Sequence, residues 1–340
     1  MKQINTICIC GGGSLGLVCS GVFCSKNSNV SLLTGHPDNW KTNIQVIDPK
    51  GIVFSGNLKR ISKHPKEVVT DADLVFLTVP GFLIEKTLKN IKPYLKPDAI
   101  VGSVVSSTGF FFAAHETLGG KHCLFGFQRV PYIARQKKYG EIGELLGYKT
   151  ELNIAIENCQ DTDGLRKELE TLFGTPINLL SNFYEASLTN SNPILHTGRL
   201  YTMWKDYTGE IIDNPPLFYA DWNDEASDCI IRMDTEFQLL LKELGIREGA
   251  IPTLLDYYES SDAASLTNKI RDIQAFKSIA SPVTKTEAGW IPDFTSRYFT
   301  EDFPFGLRFI KELAEKNHIH TPVIDKVYNW GMSKTCALEK

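Results

Sequence analysis

The sequence predicts an α/β chain in two parts, a doubly wound, mostly parallel sheet followed by an all-helical half. Three observations carry that expectation. Short β-branched runs alternate with helix-like segments up to about residue 180. Helix-period apolar positions then dominate from about residue 183. The first strand, finally, runs straight into a glycine-rich turn, CGGGSLGL at residues 10–17. With 340 residues the chain is long for one core and comfortable for two domains, taken as 1–180 and 181–340.

Composition narrows the function before any motif does. A net charge of −4 without a basic stripe argues against nucleic acid. No apolar run approaches the roughly 18 residues a membrane helix needs, so no membrane partner is expected. The apolar stretch Ile7–Val22 is broken by glycines and lacks a small-residue cleavage site, which makes it a poor signal peptide. The eight cysteines include no C-x-x-C pair. A reduced, cytoplasmic protein without a metal site is expected.

Ile4–Ile9 reads as the first strand, and the turn behind it fits the dinucleotide fingerprint G-x-G-x-x-G at Gly11, Gly13 and Gly16. Gly11 turns the chain out of the strand. Gly13 leaves room for a pyrophosphate, and Gly16 lets the next helix pack on the strand. The phosphates are expected at that helix's N-terminus, on the N–H groups around Ser14 and Leu15. The first domain is therefore Rossmann-type. Val30–Thr34 reads as the second strand, where an NAD site usually carries an acidic residue. Thr34-Gly35-His36 stands there instead, and Thr34, His36 and Lys41 offer contacts to a 2′-phosphate. NADP(H) is favoured, with Asp38 nearby keeping NAD open.

Residues 44–56 read as a hairpin around Asp48-Pro49-Lys50-Gly51. The apolar run ending in Val79-Pro80-Gly81 reads as a strand whose exit, Val79 and Pro80, lies against the cofactor. Phe82–Leu95 reads as a helix, Ala99–Val104 as a strand, and Ser106–Gly109 as a loop able to face the dinucleotide. Strand Cys123–Phe127 ends in the polar loop Gln128-Arg129-Val130-Pro131-Tyr132, where Gln128 is placed to bond a substrate carboxylate or carbonyl. Two further strands, Thr150–Glu157 and Ile177–Leu180, flank a helix at 162–173.

Helices are expected at 184–206, 224–244, 262–279, 305–317 and 322–332. A proline-containing connection at 207–222 names no task. In SNPILHTGRLY (191–201), Asn192 reads as an N-cap with Pro193 at N1, so His196 falls one turn into the helix. In SRYFTEDFPFG (296–306), Arg297 and Asp302 sit in an aromatic-rich loop before a helix starting near Phe305. Hydride transfer to a carbonyl or imine needs a proton donor, and histidine suits that task at neutral pH. A carboxylate fixes its tautomer, and an arginine fork suits a substrate carboxylate. His196, Asp302 and Arg297 supply that set.

The glycine turn, Asn192-Pro193 with His196, and RYFTEDFPFG with Arg297 and Asp302 resemble the octopine/nopaline (opine) dehydrogenases over nearly the whole chain. The resemblance implies a nucleotide domain joined to a helical domain, with catalysis in the cleft between them. It implies NAD(P)H-dependent reductive condensation of an amino acid's amine with an α-keto acid. It makes His196 the general acid/base, Asp302 its partner, Arg297 a carboxylate anchor and Asn192 a supporting residue. The partners are then an amino acid and a keto acid, with a homodimer left open. Two other readings compete. A 2-keto-acid or ketopantoate-type reductase would need no amine, but the helical half shows no convincing catalytic lysine. A non-catalytic NAD(P)-binding regulator would have no need of the His196 set.

Overall fold

The computed structural model describes residues 3–336; residues 1, 2 and 337–340, at the ends of the two expected domains, lie outside it. By internal packing the chain divides into two units, Met1–Thr189 and Asn190–Lys340.

The first unit contains, in order, β1 (Thr6–Cys10), α1 (Ser14–Ser25), β2 (Asn29–Leu33), β3 (Asn43–Ile47), β4 (Val53–Asn57), β5 (Arg60–Ser62), α2 (Pro65–Val69), β6 (Leu74–Leu77) and α3 (Gly81–Ile91). It continues with β7 (Ile100–Ser103), α4 (Phe110–Leu118), β8 (Cys123–Phe127), β9 (Tyr132–Lys138), β10 (Ile142–Tyr148), β11 (Leu152–Glu157), α5 (Thr162–Phe173), β12 (Ile177–Leu179) and α6 (Phe183–Ser187). Eight strands form the main sheet in the order β12-β11-β8-β7-β6-β1-β2-β5. Its pairs are parallel except β8–β11, which runs antiparallel.

Alternation along β1 explains the double winding. Ile7 and Ile9 enter one core with Leu17, Phe23, Phe76, Phe125 and Leu169, under α1 and α5. Cys8 and Cys10 point to the opposite core with Leu77, Leu88 and Phe111, under α3 and α4. A strand buried on both faces needs apolar residues at successive positions, and β1 has them from Ile7 to Cys10. Each fully buried side chain of this size contributes about 1.5–3 kcal/mol. Cys8 and Cys10 act here as small apolar fillers.

Two expectations change in this unit. The hairpin β3–β4 is half of a second sheet, β4-β3-β10-β9, rather than an isolated insertion. Strands β9 and β10 were not expected, because YIARQKK interleaves charges with its buried Tyr132 and Ala134 and so reads as polar loop. The unit also extends past the expected 180/181 boundary. Phe183 of α6 packs against Phe111, Phe112 and His115, which ties α6 to the first unit's core.

The second unit holds α7 (Asn192–Trp204), α8 (Asp224–Glu243), α9 (Leu254–Tyr257), α10 (Ala263–Asp272), β13 (Val283–Thr286), β14 (Gly289–Pro292), α11 (Arg308–Lys316) and α12 (Pro322–Cys336). The antiparallel β13–β14 pair corrects the all-helical expectation. Residues Tyr298–Leu307, expected as loop up to a helix beginning near Phe305, form a π-helical stretch with Pro304 inside it, leading directly into α11. Proline lacks the N–H of a regular turn, and the wider π turn is one way a helix accommodates it. Among the described residues no helix is long and apolar enough to cross a membrane.

Helix α8 anchors its neighbours through buried carboxylates. Glu236 accepts the N–H groups of Val323 and Ile324, each at 2.9 Å, at the start of α12. Asp234 accepts the Leu254 N–H at 2.8 Å, at the start of α9. Burial pushes the Asp234 carboxyl above its ordinary range, against the opposing pull of that N–H. A carboxyl raised on folding binds more protons when folded. Its contribution is full below the unfolded value and is lost as pH rises through the folded one. The urea midpoint of wild type is therefore expected to fall relative to Asp234→Asn as pH rises from about 4 to 7. A pH-independent difference between the two would show that Asp234 titrates alike folded and unfolded.

Candidate active site

The glycine turn is a cradle closed on three sides. Gly11 has φ +128°, a conformation that side chains rarely adopt. A Cβ on Gly16 would lie 1.9 Å from the Gly11 carbonyl oxygen, so α1 can approach β1 only with glycine there. Thr78, at the end of β6, donates its hydroxyl to the Cys10 and Gly11 carbonyls, both at 3.2 Å. Gln136 of β9 donates to the Gly12 carbonyl at 3.0 Å. Gly13, the N-cap of α1, is exposed with nothing within 4 Å of a built Cβ. The open side is thus the helix N-terminus, where Ser14, Leu15 and Gly16 begin α1. Free N–H groups and the helix dipole there suit a pyrophosphate. Val79 stands half-buried beside Gly11, and Pro80 caps α3 at the surface.

At the ends of β2 and β5 a cavity of about 340 Å³ is lined by Gly35, His36, Asp38, Lys63 and His64, among others. His36 lines it together with Lys63, and Lys41 is not among its lining residues. Thr34 is buried, its hydroxyl accepting the His36 N–H at 3.4 Å. Lys63 and His64 join because β5 pairs parallel with β2, so both strands exit on one side.

In the second unit, His196 and Asp302, 106 residues apart, are joined by a hydrogen bond of 2.8 Å from Nδ1 to Oδ2. Helix α7 delivers the histidine and the π-helical stretch the carboxylate. Their backbones meet at Pro193 and Gly306, where a Cβ on Gly306 would come within 2.7 Å of the proline ring. The Nε2 of His196 meets the Tyr219 hydroxyl at 2.9 Å. The rings of Phe218 and Tyr298 close around the imidazole. Both members of the pair are mostly buried, with 12% and 19% of their side chains exposed.

The remaining expected site residues have partners of their own. Arg297 is 83% exposed and gives its fork to Glu301, Nε to Oε1 at 2.8 Å and Nη2 to Oε2 at 2.9 Å. It belongs to the helical start of the π stretch, not to a loop. Asn192 is the first residue of α7 rather than its N-cap. Ser191 precedes the helix, and the Asn190 side chain accepts the Asn192 N–H at 3.2 Å. Gln128 follows β8 in the first unit, and its Oε1 accepts from Asn153 at 3.0 Å.

Residues 179–335 match the family described as NAD/NADP octopine/nopaline dehydrogenase, alpha-helical domain. Residues 7–142 match the family described as ketopantoate reductase PanE/ApbA. The chain is 28% identical to a tauropine dehydrogenase of Arabella iricolor over 355 residues, covering 95% of this chain and 89% of that one. It is 26% identical to an octopine dehydrogenase of Mizuhopecten yessoensis over 96% of this chain and 89% of that one. A structure of octopine dehydrogenase with NADH and L-arginine superposes with a TM-score of 0.84 at 26% identity, covering 97% of this chain and 89% of that one. Over nearly its whole length the chain is similar to opine dehydrogenases.

It is therefore an NAD(P)-dependent oxidoreductase of the opine dehydrogenase type. Several residues at the cradle and the histidine are not announced by the sequence. Tyr219 lies in the proline-containing connection, where nothing in LFYADW announces its contact with His196. Thr78 and Gln136 reach the glycine turn from distant strands. One signal was present: Arg199 lies one turn after His196 on α7, and it holds the connection by donating to the carbonyls of Phe218 and Asp221 at 3.1 and 2.7 Å.

The cradle carries its own test. Gly16→Ala forces a methyl group onto the Gly11 carbonyl, and cofactor affinity is expected to weaken at least about tenfold, or ~1.4 kcal/mol. Fluorescence titration with NADPH and NADH reads it. Unchanged affinity for both would remove the turn from the cofactor site.

Proposed function

We propose that this enzyme reductively condenses the amine of an amino acid with an α-keto acid, with His196 as its acid/base and NADPH as its preferred cofactor. The observation that carries the reading is the His196–Asp302 bond, a buried pair assembled from two distant elements. A carboxylate accepts only, so Nδ1 carries its hydrogen and Nε2 is the working nitrogen. The pair therefore acts as a base through Nε2, and as an acid once protonated there.

The amine adds to the keto carbon, and loss of water gives an imine. His196 handles the protons of these steps, and Asp302 stabilises the imidazolium. Bound NAD(P)H supplies the hydride that reduces the imine carbon. Arg297 fits the role of carboxylate anchor because its fork already takes a carboxylate at two points, that of Glu301. An exposed pair of this kind is worth only about 0–1 kcal/mol, so a substrate carboxylate competes with Glu301 readily. Asn192, one turn before His196 on α7, shares its face. Gln128 keeps its amide N–H groups for a substrate carbonyl, since Asn153 takes only the oxygen.

NADPH is favoured over NADH by the basic lining of the cavity beyond β2, with His36, Lys63 and His64 against one acid, Asp38. Cys8, Cys10, Cys19, Cys24, Cys123, Cys159 and Cys229 are free, which fits a reducing cytoplasm.

The reaction is tested by NADPH oxidation with pooled α-keto acids, with and without pooled amino acids. Oxidation requiring both pools is the expected result; oxidation with keto acids alone would favour the amine-independent reductase. His196→Ala is expected to lower turnover by about 10²-fold or more with cofactor binding retained, the usual scale for an acid/base. Lys63→Ala is expected to raise KM for NADPH about tenfold, the scale of one charge-assisted hydrogen bond, and to leave KM for NADH unchanged. Equal effects on the two cofactors would overturn the NADPH preference.

A further inference from the structure

The ring of His196 is engaged at both nitrogens. With Nδ1–H given to Asp302, Nε2 of the neutral ring is a lone pair, and the Tyr219 hydroxyl is the donor to it. If Nε2 takes a proton, the phenol must turn and accept, and its own hydrogen then needs another acceptor. Among the described residues, the Tyr219 hydroxyl has no hydrogen-bond partner besides His196. A buried donor left unsatisfied is costly, so with Nε2 protonated the hydroxyl calls for a second acceptor.

Nor is the phenol free to swing aside. Tyr219 is 5% exposed and stacks on Phe276 at 4.3 Å and on Trp222 at 6.1 Å. Its segment is held by Arg199 at two carbonyls and by Arg271, which donates to the Trp222 carbonyl at 2.6 Å. A clamped ring with a rotating hydroxyl is suited to passing a proton on without moving.

We infer that Tyr219 is a catalytic proton relay, interposed between His196 and the reacting substrate atom. In the oxidative direction the substrate gives its proton to the phenol oxygen while the phenol's hydrogen passes to Nε2. One O–H bond forms and one breaks at Tyr219, and the imidazolium is left against Asp302. In the condensing direction the same transfers run backwards. The hydroxyl's second acceptor is thus the substrate itself. The relay rests on the reading of His196 as the acid/base.

Burial keeps the phenol protonated well beyond ordinary pH, so it serves as a neutral donor. The ionisable groups recorded against the ring are Asp302 and Tyr298 from the π stretch and Tyr219 from the connection, with Arg297 acting on Asp302 and Tyr258 on Tyr219. Helix α8 meets α7 through Ile230 and Met233 at Gly198. Helix α12 meets it through Trp330 and Lys326, both at Tyr201 rather than at His196.

The test is Tyr219→Phe in the full chain. The His196 ring is titrated by NMR without substrate, its signal assigned by difference from His196→Gln. Losing the donor to the neutral ring is expected to raise its titration by about one pH unit. The acid limb of kcat/KM is expected to move with it, and kcat to fall at least tenfold with NADPH affinity unchanged. An unchanged His196 titration, with or without loss of rate, overturns the relay and leaves Tyr219 a packing residue. If Tyr219→Phe does not fold, 3-fluorotyrosine incorporation replaces it. The more acidic phenol is a stronger donor and is expected to lower the titration, and no movement overturns the relay. Because the titration is read without substrate, it stands apart from any failure of the condensing reaction.

Discussion

The close approach of α7 to the π-helical stretch at Pro193 and Gly306 is the contact on which the His196–Asp302 pair depends. Only a glycine admits the proline ring at that distance. His196 lies one turn after Pro193, and Asp302 lies about one wide turn before Gly306. Bringing the two backbones together at that point therefore brings imidazole and carboxylate into hydrogen-bond range. The π stretch matters for the same reason. Its i→i+5 bonding accommodates Pro304 while keeping Asp302 and Gly306 on one face.

Around that crossing the second unit is locked by groups that are costly to disturb. Glu236 and Asp234 on α8 bond the first turns of α12 and α9 with carboxylate oxygens, each a charge-assisted contact to N–H groups that helices leave unpaired. Arg199 does for the connection what these acids do for the helices. Its guanidinium lies over Trp222 and donates to carbonyls, so an irregular segment carries its backbone groups satisfied and still holds Tyr219 in place.

In the first unit the governing constraint is the register of β1. Its alternate residues feed two separate cores, which forces helices onto both faces of the sheet and leaves the strand ends as the open surface. The glycine turn, the exit of β6 and the basic cavity beyond β2 and β5 all stand at those ends. The second sheet adds a buttress, since Gln136 from β9 fixes the Gly12 carbonyl.

Much of this was local and therefore legible. The glycine spacing, the doubly buried strands, the helix at 162–173 and the strand Cys123–Phe127 follow from residues that determine their own conformation. The family was legible as well, because Asn192-Pro193 with His196 and RYFTEDFPFG are short linear patterns. What the sequence could not determine was decided by partners far along the chain. Strands β9 and β10 have too mixed a pattern to declare themselves, and they exist because β3 offers an edge to pair with. Arg297 and Asp302 look equivalent in sequence. Packing turns Asp302 inward to His196, while Arg297 faces solvent on Glu301. Lys63 and His64 become neighbours of His36 only through the parallel pairing of β2 with β5. Tyr219 reaches His196 because two arginines hold its backbone there. Secondary structure and motif are written in neighbouring residues, whereas a hydrogen bond across 106 residues depends on how whole helices cross.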